Sequence, residues 1–226
     1  MRITNLKGES AEYARAREEL QQAEIELMRH CERVADQRRR LPPGPVVEDY
    51  VFEEGPADLE DGDTPVTTVR LSELFTDPGR DLVVYHFMFG KRQVEACPMC
   101  TMWIDGINGV ARHIAQNADL AIVAASDLLT LRSYARTRHW TNLRLLSAGS
   151  GTFKYDLGSE DAEGHQDSTV SVFTRDGDGA VHHFYSAHPR MSDDIDERGL
   201  DLMAPVWHIL DLTSRGRGEW YAGLDY

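Results

Sequence analysis

The stretch LVVYHFMFG at 82–90, followed by KRQVEA at 91–96 and CPMC at 97–100, decides how this chain is read. Leu82 to Phe89 is an unbroken apolar run rich in β-branched and aromatic residues, the pattern of a central strand buried on both faces. The loop Gly90 to Ala96 leads to Cys97, and Pro98 to Gln116 continues as a helix. Asp119 to Ala125 reads as a second buried strand. Asp127 to His139 reads as a second helix, with Asp127 as its N-cap. Thr169 to Arg175 is a third strand, Asp176-Gly-Asp-Gly179 a hairpin turn, and Val181 to Ser186 the strand that pairs back. Leu200 to Leu212 is a last helix, which Pro205 shortens or kinks. The order β-α-β-α, then β-β-α, predicts an α/β fold whose parallel sheet gains an antiparallel edge.

Upstream of this unit the pattern differs. Residues from about Ser10 to Arg40 read as one long helix with Ser10 as N-cap. Leu20, Ala23, Leu27, Cys31 and Val34 step by three and four along it, a narrow apolar stripe that must lie on its own domain or on a second subunit. Cys31, on that stripe, is expected as a small buried apolar residue. Leu41-Pro-Pro-Gly-Pro45 stops the helix. EDYVFE at 48–53 alternates like a short strand, EEGPADLEDGDTP at 53–65 reads as an acidic surface loop, and Val66 to Leu74 holds a short strand and a helical turn. The expected organisation is an N-terminal helical arm and linker over 1–65 and an α/β domain over 66–226.

Composition narrows the function. The 226 residues are 41% apolar and 27% charged, a soluble globular profile. Lysine plus arginine number 24 against 38 acids, a net charge of −14, which disfavours nucleic acid and anionic membrane surfaces as partners. No apolar run approaches the ~20 residues of a membrane span, and no secretory h-region precedes Leu20, so a cytoplasmic location is expected. Only three cysteines occur, Cys31, Cys97 and Cys100, which excludes a disulfide scaffold and a four-cysteine zinc site within one chain.

The chemistry therefore centres on Cys97-Pro98-Met99-Cys100. A cysteine at a helix N-terminus faces unpaired backbone N–H groups and the positive end of the helix dipole, and both favour its thiolate. Cys100 follows by about one turn, within reach of the first sulfur. Pro98 suits the first helical turn, where its missing N–H costs nothing. The pair reads as an attacking thiol, Cys97, and a resolving thiol, Cys100, with no bound cofactor required. Half of a zinc site completed by histidines is the alternative, although no second CxxC or HxxxH accompanies the pair. Trp103, nearly two turns beyond Cys97, is a wall of the site or a core aromatic. His86 is expected as a neutral, hydrogen-bonded core histidine, and His182 and His183 must face opposite sides of their strand.

Several segments resemble a bacterial thioredoxin-like family of predicted dithiol-disulfide oxidoreductases, a domain-of-unknown-function family. They are RRRLP at 38–42, EDYVFE at 48–53, VVYHFMFG and ACPMCTMWIDGINGVARHIA within 83–115, FKYDLG at 153–158, TVSVFTRDGDGAVHHFYS at 169–186 and LDLTSRGR at 210–217, with Tyr134 and Trp140. The resemblance implies a thioredoxin-like fold, a central mixed sheet flanked by helices. VVYHFMFGKRQVEAC is also similar, more distantly, to the strand and loop before the peroxidatic cysteine of peroxiredoxins. Where those carry a threonine this chain has Val94. Where the superfamily carries a cis-proline or an arginine before the third strand, Ser168 precedes Thr169. Ser168 and Thr169 are thus expected beside the site. The loop GSEDAEGHQD at 158–167 leads into them and predicts an acidic rim. The expected activity is thiol–disulfide exchange with a protein or small-molecule disulfide and a thiol reductant. The alternatives are a peroxiredoxin-like thiol peroxidase and a non-enzymatic redox-sensing or metal-binding protein. The long first helix points to a homodimer.

Overall fold

A computed structural model of the chain describes residues 7–193 and 199–224. Compact units divide after Pro42. The first carries α1 (Ala11–Arg39), whose N-cap Ser10 accepts the Tyr13 N–H on its Oγ at 3.1 Å. None of the α1 residues is buried, and Leu20, Leu27 and Met28 are exposed. Cys31 is exposed as well, so its expected role as a buried packing residue is not met.

The second unit, from Pro43 on, runs β1 (Val51–Glu54), β2 (Thr67–Arg70), β3 (Leu82–Phe87), α2 (Pro98–Ile114), β4 (Asp119–Ala124), α3 (Leu128–Thr137), β5 (Arg144–Ser147), α4 (Phe153–Asp156), β6 (Thr169–Arg175), β7 (Val181–Ala187) and α5 (Pro205–Asp211). The strands form one sheet in the order β2-β1-β5-β4-β3-β6-β7. β3, β4 and β5 are parallel, while β6 and β7 run antiparallel on one side and β1 and β2 on the other. This is the thioredoxin-like α/β fold: a central strand, β3, delivers the chain to α2 at its C-terminal end.

Pleating splits β3 between two cores. Tyr85 and Phe87 pack with Trp103, Ile104 and Trp140 on the α2 and α3 side. Leu82 and Val84 pack with Phe52, Phe153 and Phe173 on the opposite side. Phe87 and Phe173 are wholly removed from water, and each such side chain contributes about 1.5–3 kcal/mol of transfer free energy.

Two elements, β5 and α4, have no counterpart in the sequence reading; each is four residues long. The sheet also takes in β1, inside the stretch assigned to arm and linker, so the division between units precedes the expected boundary at 65/66. Glu54, expected in a solvated loop, accepts from Arg144 Nε at 2.7 Å and from the second guanidinium nitrogen at 2.8 Å. The rest of that loop is pinned by the buried Arg132, which donates to the carbonyls of Pro56, Asp58 and Gly62 and to Asp63. The last predicted helix splits into a 3-10 turn, Asp201–Met203, and α5, with Pro205 in the first turn of α5, where a proline is tolerated.

Candidate active site

The site begins where β3 ends. Phe89 accepts the N–H groups of Ala125 and Ser126 at 3.0 and 2.9 Å, which ties the chain after β3 to the end of β4. Gly90 follows with φ +106°, and a Cβ there would lie 2.0 Å from the Ser126 nitrogen, so only glycine fits. Gly90 and Gln93 exchange both backbone hydrogen bonds and close the loop. Cys97 then returns its N–H to the Met88 carbonyl at 3.2 Å. The cysteine is the N-cap of α2 and Pro98 occupies its first turn. Thr101 locks this start by donating its hydroxyl to the Cys97 carbonyl at 2.9 Å, and it shares a 2.8 Å hydrogen bond with the Tyr134 hydroxyl.

Both thiols are free. Cys97 is 7% exposed and Cys100 fully buried, so one sulfur meets the surface and the other lies behind it. The Cys97 Sγ accepts the backbone N–H of Cys100 at 3.5 Å. Its pKa is lowered to about 6, chiefly by the Cys100 thiol donating to it; burial opposes this, and the backbone N–H groups of Cys100 and Met99 and the Tyr221 side chain assist. Burial drives the Cys100 thiol the other way, well above the usual range, and the neighbouring Cys97 charge adds to it.

A cavity of about 90 Å³ opens onto Cys97, walled by Met88, Trp103, Ser168, Arg190 and Tyr221. Trp103 lines this cavity and is 2% exposed within the core, edge-on to Tyr85 at 6.2 Å. Ser168 is at the cavity, its N–H held by the Asp167 carboxylate at 2.8 Å. Thr169 is not; it starts β6 opposite His86 and bonds the His188 ring at 3.0 Å. Val94 is 78% exposed. A larger cavity of about 700 Å³ lies at the other end of α2, beside Ala111, Arg132 and Arg144, and contains neither cysteine.

Three residues at or behind the site were missed from the sequence. Tyr221, near the end of the chain, reaches the Cys97 thiol. Tyr85 sets a wholly buried hydroxyl beside the Cys100 thiol and Ser168, with no partner in standard hydrogen-bond geometry among the described residues. Lys154 on α4 is 1% exposed, its Nζ donating to the Phe87 carbonyl at 2.8 Å. Only a lysine inside the FKYDLG segment, next to Phe153, hinted at the last of these.

His86 matches its expectation. Its ring is buried, bonded to Ser159 at 2.8 Å and Ser171 at 3.0 Å and stacked on Phe153, and burial holds its pKa well below the usual value. The 158–167 loop is less acidic in effect than its composition implies: Glu160 pairs with Lys91, Asp161 with His165, and Asp167 with Arg190. Asp161, Glu163 and His165 form the one group of potential metal ligands among the described residues, exposed and without either cysteine. No helix among the described residues is long and apolar enough to cross a membrane.

The sequence pattern of the family described as "Bacterial protein of unknown function (DUF899)" matches residues 3–225. The chain belongs to this family. The match takes in every residue of this DUF899 site, from β3 through Tyr221. No curated protein matches the chain. Among solved structures, the chain is similar to reduced Prx3 of Vibrio vulnificus in complex with H2O2, with 16% identity, TM-score 0.47 and coverage of 75% of this chain and 98% of that one. It is similar to AhpC of Mycobacterium tuberculosis, with 15% identity, TM-score 0.47 and coverage of 72% and 94%. It is also similar to a putative thioredoxin reductase of Burkholderia cenocepacia, with 16% identity, TM-score 0.46 and coverage of 72% and 96%.

Proposed function

We propose that this DUF899 protein is a thiol–disulfide oxidoreductase in which Cys97 attacks a disulfide and Cys100 resolves the mixed disulfide. The observation that carries the reading is the asymmetry of the pair. Cys97 caps α2 with its pKa near 6 and opens onto a cavity, while Cys100, one turn on, is buried with its proton held tightly. At neutral pH the outer sulfur is largely thiolate and is the nucleophile; the inner one is a thiol in reserve. In the first step the Cys97 thiolate attacks one substrate sulfur, a Cys97–substrate S–S bond forms and the other substrate sulfur leaves as thiolate. In the second step Cys100, having lost its proton, attacks Cys97, and the remaining substrate thiolate leaves. The substrate is reduced, the CxxC pair is oxidised, and an external thiol returns it to the dithiol. Pro98 sets the helix start, and Trp103 and Ser168 wall the substrate's approach.

The test is trapping. Cys97→Ser abolishes disulfide reduction, and Cys100→Ser accumulates a covalent protein–substrate adduct visible by mass. Unchanged turnover by the Cys97 variant overturns the reading. The small size of the cavity favours one second reading, a thiol peroxidase in which Cys100 resolves a Cys97 sulfenic acid. Peroxide consumption outpacing disulfide reduction, with an external thiol as electron source, selects it.

A further inference from the structure

None of the 29 residues of α1 is buried. Most helical stability in proteins comes from packing an apolar face, and a helix without that support is marginal in water. The apolar residues that α1 leaves in solvent are not scattered. Tyr13, Leu20, Leu27 and Val34 recur at intervals of seven, and the first three are 58, 59 and 61% exposed. Ala16 and Ala23 stand three residues after Tyr13 and Leu20, exposed as well. This is heptad spacing, with a large residue at each of four a positions and alanine at the first two d positions. A seven-residue repeat keeps one seam turned toward another helix along its whole length, which a 3.6-residue period does not. Alanine at d leaves room for a close approach.

The charges say which helix fits. Residues 11–26 carry five acids and two arginines, and residues 27–40 carry five arginines and two acids. The two halves of α1 are opposite in sign, so the helix is complementary to itself in reverse. The g row flanking the seam repeats this polarity: Glu12, Glu19 and Glu26, then Arg33 and Arg40. Among the described residues Glu12, Glu19, Glu26 and Arg40 form no side-chain ion pair, and Arg33 meets only the His30 ring, at 3.3 Å.

We propose that α1 pairs antiparallel with α1 of a second copy of the chain, along the seam of Tyr13, Leu20, Leu27 and Val34. The inference does not depend on the thiol chemistry proposed above. In the register that overlaps the two helices throughout, Leu27 lies over Ala23 of the second copy and Val34 over Ala16 of the second copy. Glu19 then faces Arg33 of the second copy, and Glu12 faces Arg40 of the second copy. Two-fold symmetry makes each of these contacts twice. The cost falls at the centre, where Glu24 and Glu26 come near their own copies. A parallel pair fits worse. It sets each g residue against the e residue five further along, so Glu19 meets Glu24 and Arg33 meets Arg38, with attraction only between Glu12 and Arg17.

The test is the mass of the full chain in solution, by sedimentation equilibrium through the micromolar range. The wild type is expected as a dimer. Leu20→Asp combined with Leu27→Asp should raise the dimer Kd by about a hundredfold. The Cys97 alkylation midpoint, a property of the other unit, should stay unchanged and report an intact fold. Glu19→Arg decides the orientation. In the antiparallel pair it sets like charges together twice and should raise the Kd by about tenfold. Arg33→Glu should do the same, and the two changes together should restore the wild-type value. In a parallel pair Glu19→Arg instead removes the repulsion from Glu24 and tightens the dimer. A wild type that is monomeric throughout overturns the inference. So does a dimer that survives the double aspartate variant, or one that Glu19→Arg tightens.

Discussion

The backbone N–H of Cys100 points at the Sγ of Cys97 across 3.5 Å, so the two cysteines are coupled by the first turn of α2 before any bond joins their sulfurs. With the Cys100 thiol as the largest cause of the lowered Cys97 pKa, alkylation separates the two sites. The iodoacetamide rate of Cys97 is expected to reach half its maximum near pH 6, while Cys100 stays unlabelled. Cys100→Ala removes the leading donor and moves that midpoint upward. A wild-type midpoint at the ordinary thiol value of about 8.5 refutes the assignment.

Tyr221 tests the same thiolate from outside. Its side chain contacts the Cys97 sulfur and walls the cavity, yet it lies far along the chain. Tyr221→Phe keeps the ring and deletes one hydrogen bond, which is worth about 0.5–1.5 kcal/mol, or roughly twofold to thirteenfold in the ionisation constant. The alkylation midpoint should rise by that amount with the fold unchanged by circular dichroism. A midpoint that stays put shows that the hydroxyl does not reach the sulfur in solution.

Residues 82–100 made the fold legible because β3 is buried on both faces and therefore apolar throughout, and because a CxxC after such a strand has few structural contexts. Asp127 and Ser10 were legible as caps, since an N-cap side chain acts locally. Lys154 and Tyr221 were not. What makes them part of the site is a contact across the tertiary fold, with Phe87 for one and Cys97 for the other, and no local spacing encodes that. β5 escaped for a related reason: RLLS is too short to show a period, and only its place beside β4 makes it a strand. Cys31 misled because an apolar stripe shows amphipathicity without showing that anything covers it.

His86 makes stability pH-dependent. It is neutral and buried in the folded state, with a pKa lowered chiefly by burial from the ordinary 6.5. Below that value the unfolded chain binds a proton that the native ring refuses, so this contribution to stability falls as pH drops and is fully present above it. The urea midpoint of the wild type should decline on acidification from neutrality. His86→Phe, which keeps an aromatic ring against Phe153, should flatten this decline. An equal slope in the two proteins argues against a neutral buried ring.

Gly90 links the fold to the chemistry, and its substitution tests both. A Cβ at this position would lie 2.0 Å from the Ser126 nitrogen and 2.4 Å from the Ala125 carbonyl carbon, both backbone atoms that no rotamer can move aside. The φ of +106° adds strain for any L side chain. Gly90→Ala must therefore separate the loop after β3 from the end of β4, breaking the hydrogen bonds that Phe89 accepts there. The expected cost is about 3 kcal/mol, seen as a lower urea midpoint at unchanged slope. Gly177→Ala is the control, since a Cβ in that hairpin turn meets nothing within 4 Å and the change should stay within about 0.5 kcal/mol. Because Met88, two residues before Gly90, anchors the Cys97 N–H, the same variant should also raise the Cys97 alkylation midpoint. Lost stability with an unaltered midpoint places the N-cap geometry of Cys97 in α2 alone, independent of the loop that precedes it.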